Sequence, residues 1–248
     1  MAKNILKILA IFAVGAVGGI CAEQILWPYF VERPLFHKYN LEQSPVYVTE
    51  KKETTLYVQE NIALRESVQS VVQAVVGVKT KTKQGEILEG SGLIVTSDGL
   101  IVTLASLVPQ DSDFYFFVDG KWPAYQILKR DFKNDLALVK VERGSLKTRG
   151  FAEMEKIKLA EPIFLVGADF IASTTSESFL LPPQIRVNQG IISILEDGLI
   201  QTNIYETQNM AGSPIFNIEG RVVGLSVVKE NGRVSVVPVD KIRAFIGY

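Results

Sequence analysis

Two side chains that carry much of protein chemistry are nearly missing here: the 248 residues hold one histidine, His37, and one cysteine, Cys21. A lone cysteine excludes an intrachain disulfide and any cysteine-built metal site. No metal-ligand cluster stands out in the sequence, and neither metal nor cofactor is expected. An excess of either charge is lacking too. The balance of 26 basic against 27 acidic side chains gives no reason to expect a nucleic-acid groove or a polybasic membrane-surface patch. There is no internal repeat and no low-complexity tract. What remains is a chain with 47% hydrophobic residues, enough for one large or two small globular units held together by packing alone.

The first segment, MAKNILKILAIFAVGAVGGICA, places Lys3 and Lys7 ahead of a charge-free run from Ile8 to Ala22. Its length is near the lower limit for crossing roughly 30 Å of hydrocarbon. A cleaved signal or an anchor would both fit. Cleavage after Ala22 would put Ile20 where a small residue is wanted, which favours an uncleaved anchor over residues 1–24. The basic flank precedes the span and Glu23 and Glu32 follow it, so the N-terminus is expected in the cytoplasm and the bulk of the chain outside. Gly15 and Gly19 form a G-x-x-x-G pair, although small residues in a short apolar helix account for it more simply. Acylation of Cys21 has no second signal to support it.

Residues 25–62 read as an extracytoplasmic tether with three prolines, and they contain His37. Leu64, Val68, Val71, Val72 and Val75 then fall at helical spacing, with Asn61 available as a cap. From Val75 the texture becomes short Val- and Ile-rich runs separated by Asp98-Gly99, Asp119-Gly120, Asp197-Gly198, Glu219-Gly220 and Asn231-Gly232. Such pairs suit the positive φ of tight hairpin turns, so an all-β domain over 63–248 is expected. The closing VDKIRAFIGY has apolar residues at helical spacing behind Asp240, which can cap.

Three segments in order resemble trypsin-fold serine proteases of the HtrA/Deg type. EGSGLIVTSDGLIVTLASLV (89–108) resembles the stretch with glycine-serine-glycine, a hairpin, and a threonine three residues before the catalytic histidine. DFKNDLALVKVE (131–142) resembles the catalytic-aspartate segment. IQTNIYETQNMAGSPIFNIEGRVVGLSVV (200–228) resembles the nucleophile segment with its G-N-S-G-G-P motif. The resemblance implies two six-stranded antiparallel β-barrels, near 70–145 and 155–240, with short flanking helices and the cleft between them. The family usually carries a peptide-binding PDZ domain after the protease domain, and the sequence, ending at Tyr248, is expected to do without one.

Carried over residue by residue, the resemblance puts Asp135 at the aspartate position. Thr103 occupies its family place, and three residues further stands Ser106 where histidine is expected. Gly212 and Pro214 fix the third motif, so Ala211 stands for the nucleophilic serine, Met210 and Asn209 for asparagine and glycine, and Ser213 for a glycine. In this chemistry the hydroxyl attacks, the imidazole takes and returns its proton, and the aspartate orients the imidazole. Alanine has no attacking atom, and a serine hydroxyl is no base near neutral pH. Losing one such group costs on the order of 10⁶ in kcat. The family's oxyanion hole uses backbone N–H groups at the positions of Asn209 and Ala211, and asparagine tolerates the glycine conformation poorly. Asp135 is left to bond Ser106 or to be hydrated. A serine-lysine pair built on Ser106 or Ser213, or a role for His37, has no motif behind it.

A trypsin-fold cleft can bind extended peptide along strand edges without any triad. Asn203, Met210 and Ser213 are expected in the cleft, and the neutral amide of Asn203 gives no preference for a charged side chain. The first reading is therefore a membrane-anchored, extracytoplasmic pseudoprotease whose partner is a polypeptide or a membrane protein. Two others compete: an active HtrA-like endopeptidase with a non-standard catalytic set, and a structural envelope protein.

Overall fold

The computed structural model describes residues 2–26, 62–170, 181–196 and 198–247. The chain divides into two compact units, Met1–Tyr57 and Val58–Tyr248. Tether residues 27–61, His37 and Asn61 among them, and Asp197 lie outside the described residues.

In the first unit, helix α1 (Ala2–Cys21) continues into one wide turn of π geometry at Ala22–Leu26. The stretch Lys3–Gln24 has a mean hydropathy of 2.3 and is long and apolar enough to cross a membrane by length and composition. Phe12 is 76% exposed. A helix apolar all round is stable in lipid or in a protein core.

The second unit opens with helix α2 (residues 62–71) and a 3₁₀ turn at Val72–Ala74. The expected helix thus stops short: Val75 is already the first residue of a strand and pairs with Leu93. The β-branched run Val75, Val76 and Val78 fits a pleated, buried surface better than a helix. Six strands follow, β1 (Val75–Lys81), β2 (Ile87–Ile94), β3 (Leu100–Thr103), β4 (Asp113–Phe117), β5 (Tyr125–Asp131) and β6 (Leu136–Val141). Six more are β7 (Pro162–Asp169), β8 (Gln184–Glu196), β9 (Leu199–Tyr205), β10 (Pro214–Asn217), β11 (Val222–Val228) and β12 (Arg233–Pro238). Helix α3 (Val239–Ile246) ends the chain. Its cap is Pro238, and Asp240 sits in the first turn without capping. There its charge still faces the positive end of the helix.

Both expected six-stranded antiparallel sheets are present. The second closes into a barrel in the order β10-β11-β12-β9-β8-β7, whereas the first runs β4-β1-β2-β3-β6-β5 and stays open between β4 and β5. Side chains bridge that opening. The Tyr125 ring from β5 meets Phe114 and Phe116 of β4 edge-on, with centroids 6.0 and 5.2 Å apart. The turn pairs do what their sequence suggests: Gly99, Gly120, Gly198, Gly220 and Gly232 all have positive φ.

Strand β1 is buried on both faces because one side packs on β7 of the barrel. A Cβ on Gly77 would stand 2.9 Å from the Phe170 ring and 3.3 Å from Ala168 Cβ, so only glycine lets the sheets approach this closely here. Ser91 on β2 ties the same seam, accepting at Oγ from the Ala168 N–H at 2.9 Å. The two sheets are therefore fixed to each other, and the loops at their junction are held on both sides.

Replacing Tyr125 by leucine keeps apolar bulk but removes both edge-on ring contacts. The expected loss is about 1 kcal/mol of unfolding free energy, read as a lower urea midpoint with unchanged slope.

Candidate functional site

The loop between β9 and β10 carries the third motif. Its 3₁₀ turn at Gln208–Met210 is closed by backbone bonds from Met210 N–H to Thr207 O (2.9 Å) and from Ala211 N–H to Gln208 O (3.0 Å). The loop is then stitched to both sheets. Ser91 N–H donates to Ala211 O at 2.9 Å, Gly212 N–H to Ser226 O at 2.8 Å, and Ser226 N–H to Ser213 O at 2.9 Å. Ser226 Oγ adds a bond to Met210 O at 2.7 Å, and Thr103 Oγ1 braces the far side of Ser91 through its carbonyl at 2.6 Å. Gly212 has φ of +72°, and a Cβ there would lie 2.3 Å from Ser91 O. That one position requires glycine on two independent grounds.

The second motif supplies Asp135, in the left-handed region at φ +53° at the start of β6. Asp tolerates that conformation better than most residues. Its carboxylate is held at both oxygens by Ser106: the backbone N–H donates to Oδ1 at 2.7 Å and the hydroxyl to Oδ2 at 3.0 Å. Of the two outcomes open for Asp135, the structure has the bond to Ser106. The turn behind it is set by Asp131. Asn134 Nδ2 donates to Asp131 Oδ2 at 2.6 Å, and the N–H groups of Lys133 and Asn134 reach Oδ1. The Asn134 side chain first, and then these backbone donors, hold the Asp131 carboxyl below the usual carboxylate range.

Ser106, Ala211, Asn209 and Gln208 line one cavity of about 350 Å³, walled by Glu86 to Glu89 of the β1–β2 hairpin and floored in part by Leu107. The structure therefore brings Ser106 and Ala211, two of the three residues expected at triad positions, to one cavity, with Asp135 behind Ser106. Two expected cleft residues are elsewhere. Met210 and Ser213 are fully buried. Met210 packs against β7, where a Cβ on Gly167 would come 2.5 Å from its Cε, and the Ser213 hydroxyl turns inward to Ser91 Oγ at 3.1 Å. A 3₁₀ turn rotates successive side chains by about a third of a circle, so Met210 points inward while Gln208 points out.

Asn203 is exposed, but its amide has structural employment: Oδ1 accepts from Ile191 N–H at 2.7 Å. The β8–β9 ladder begins only at Ile192, and Asn203 spans the gap beyond it. Asn209 is tied down as well. Its Nδ2 donates to Asp169 Oδ1 at 2.5 Å, its Oδ1 accepts from Thr207 Oγ1, and Asp169 in turn meets Arg186 Nε at 3.3 Å. No described lysine bonds either serine. Lys79, the one fully buried lysine among the described residues, forms a 2.9 Å ion pair with Glu89 and lies over the Phe170 ring.

The backbone pair Asn209 and Ala211 does not converge on the cavity as two donors, because the Ala211 N–H is spent on Gln208 O inside the turn. Gln208, Asp169 and the hairpin wall 86–89 carry no functional signal in the sequence. Only Ser91 carried a signal, as the middle residue of glycine-serine-glycine.

Residues 90–225 match the family described as trypsin-like peptidase domain. The chain is similar to a protein described as serine protease HTRA1 from Xenopus laevis, 30% identical over 172 residues, covering 63% of this chain and 35% of that one. It is similar also to proteins described as probable periplasmic serine endoprotease DegP-like. The one from Halomonas elongata is 27% identical over 138 residues, 55% of this chain and 28% of the relative. The one from Chlamydia pneumoniae is 29% identical over 156 residues, 62% and 31%. The chain spans about a third of the length of these relatives.

Substituting Gly212 by alanine should cost about 2–4 kcal/mol in a urea titration, from left-handed strain plus the clash with Ser91 O. The Asp131 turn gives a pH dependence of known sign. A carboxyl depressed in the folded state stabilises it above its ordinary pKa and loses that contribution as pH falls through the lower folded value. Amide exchange of Lys133 and Asn134 should therefore stay slow at neutral pH and accelerate, relative to the unfolded rate, only below about pH 4. The Asp131→Asn variant should lose that step.

Proposed function

The chain belongs to the trypsin-like peptidase domain family, and we propose that it is a non-cleaving member that binds extended polypeptide. The observation that carries this reading is the pairing of Ser106 with Asp135 beside Ala211 in one cavity. The aspartate that would orient an imidazole instead receives two hydrogen bonds from a serine. The Ser106 hydroxyl at the cavity is bonded to a carboxylate and not to an imidazole, and a carboxylate is much the weaker base.

Magnitudes decide which loss matters most. Opening the Ala211 turn to free its N–H costs one backbone hydrogen bond, about 0.5–1.5 kcal/mol, or roughly a factor of ten in rate. The absent nucleophile and base each cost on the order of 10⁶ in a comparable triad. The side chains at 106 and 211 therefore dominate, and the closed turn adds to a loss that is already large. Binding has no such dependence, since pairing along a strand edge uses only main-chain groups.

Placement outside the cytoplasm, anchored by α1, is part of the proposal. The apolar helix with lysines on its N-terminal flank supports it, by the excess of basic residues on the cytoplasmic side. The periplasmic description of similar proteins points the same way. The runner-up, an HtrA-like serine endopeptidase using an unconventional set, makes the opposite chemical prediction.

The full-length chain in detergent should take up no label from a serine-directed fluorophosphonate and should leave casein intact. Stoichiometric labelling mapped to Ser106 or Ser213, with casein cleavage lost when that serine becomes alanine, would establish the endopeptidase and end this reading.

A further inference from the structure

We infer that Gln208 is a built-in competitor for polypeptide at the open edge of β11, an inference that rests on the polypeptide binding proposed above. In the β11–β12 hairpin, Lys229 N–H donates to Arg233 O at 3.0 Å and Gly232 N–H to Lys229 O at 2.8 Å, so Lys229 faces β12. Backbone groups alternate along a strand, and Ser226 and Val228 consequently face the opposite edge. On that edge β10 pairs with β11 only as far as Leu225. Ser226 is then satisfied by the backbone of Gly212 and Ser213.

Val228 comes next, and there the backbone partners run out. Its carbonyl accepts from the Gln208 side chain, Nε2 to O at 3.1 Å, with the same nitrogen 3.4 Å from Lys229 O. Its N–H has no partner among the described residues. A primary carboxamide is a peptide group without a chain, so the side chain occupies the position that the next strand's N–H would take.

Gln208 is exposed, and it also lines the cavity beside Ser106 and Ala211. An extended polypeptide lying in that cavity must pass over it. Such a segment would offer Val228 two backbone bonds, an N–H for the carbonyl and a C=O for the free N–H, where Gln208 offers one. Polypeptide therefore displaces the carboxamide and pays its hydrogen bond out of its own affinity.

The test is an equilibrium titration of the full-length chain in detergent with fluorescein-labelled, reduced and carboxymethylated α-lactalbumin as the unfolded polypeptide. Wild type is compared with Gln208→Ala and with Gln208→Glu, which keeps the side-chain length but cannot donate to Val228 O. Both variants should bind about three- to tenfold tighter, the worth of one neutral hydrogen bond. Equal affinity of all three proteins overturns the competitor and leaves polypeptide binding standing. Weaker binding by both variants overturns it as well, since Gln208 would then be a contact. Absence of binding by all three removes the parent reading together with this one.

Discussion

The hydrogen bond from Ser91 N–H to Ala211 O joins the first sheet to the β9–β10 loop, and the geometry of the junction depends on it. Both groups lie where water is excluded, and a buried backbone group left unpaired costs as much as a lost hydrogen bond. The bond therefore fixes where Ala211 can sit. Gly212 and Ser213 are then clamped to Ser226 of β11, and the side chain of Ser91 reaches across to Ala168 of β7. None of these contacts needs a particular side chain at 211, and only one of them needs a hydroxyl at 91. A junction held by backbone can lose its chemistry and keep its shape.

On the proposed reading, that separation lets substitutions at the triad positions coexist with an ordered cavity. Ser106 does not leave Asp135 an orphan; it satisfies the carboxylate through both its amide and its hydroxyl. Asn209 in a position of glycine finds Asp169 and Thr207 as partners, and in doing so it settles into right-handed 3₁₀ backbone. Each replaced group has been absorbed into local hydrogen bonding. The proposed outcome is a cleft with a strand edge and a cavity but without an imidazole to shuttle a proton, which suits retention of polypeptide better than its cleavage.

Much of the fold was legible in the sequence because its signals are local. Aspartate- or asparagine-glycine pairs report turn geometry directly, and alternation reports a half-buried strand. Three ordered motifs carried the architecture and placed Ser106, Asp135 and Ala211. What was not legible depends on rotation and on distant partners. Met210 turned out buried because a 3₁₀ turn decides which way its side chain points, and Ser213 because its hydroxyl turns inward to Ser91; no spacing rule announces either. Asn203 serves a gap in the β8–β9 ladder that exists only in the folded register. The open seam of the first sheet, closed by Tyr125, likewise follows from a meeting of strands far apart in order. Gln208 had no signal at all, since its partner is a backbone carbonyl twenty residues away.

The account stands on the loop being closed by its own backbone, with the Ala211 N–H turned into the 3₁₀ turn and the Gly212 N–H into β11. Native-state amide hydrogen exchange of those two groups tests this most directly. Gly212 is expected to exchange as slowly as the core of β11, and Ala211 well below the unfolded rate. An Ala211 amide exchanging at the rate of an unstructured chain would contradict it.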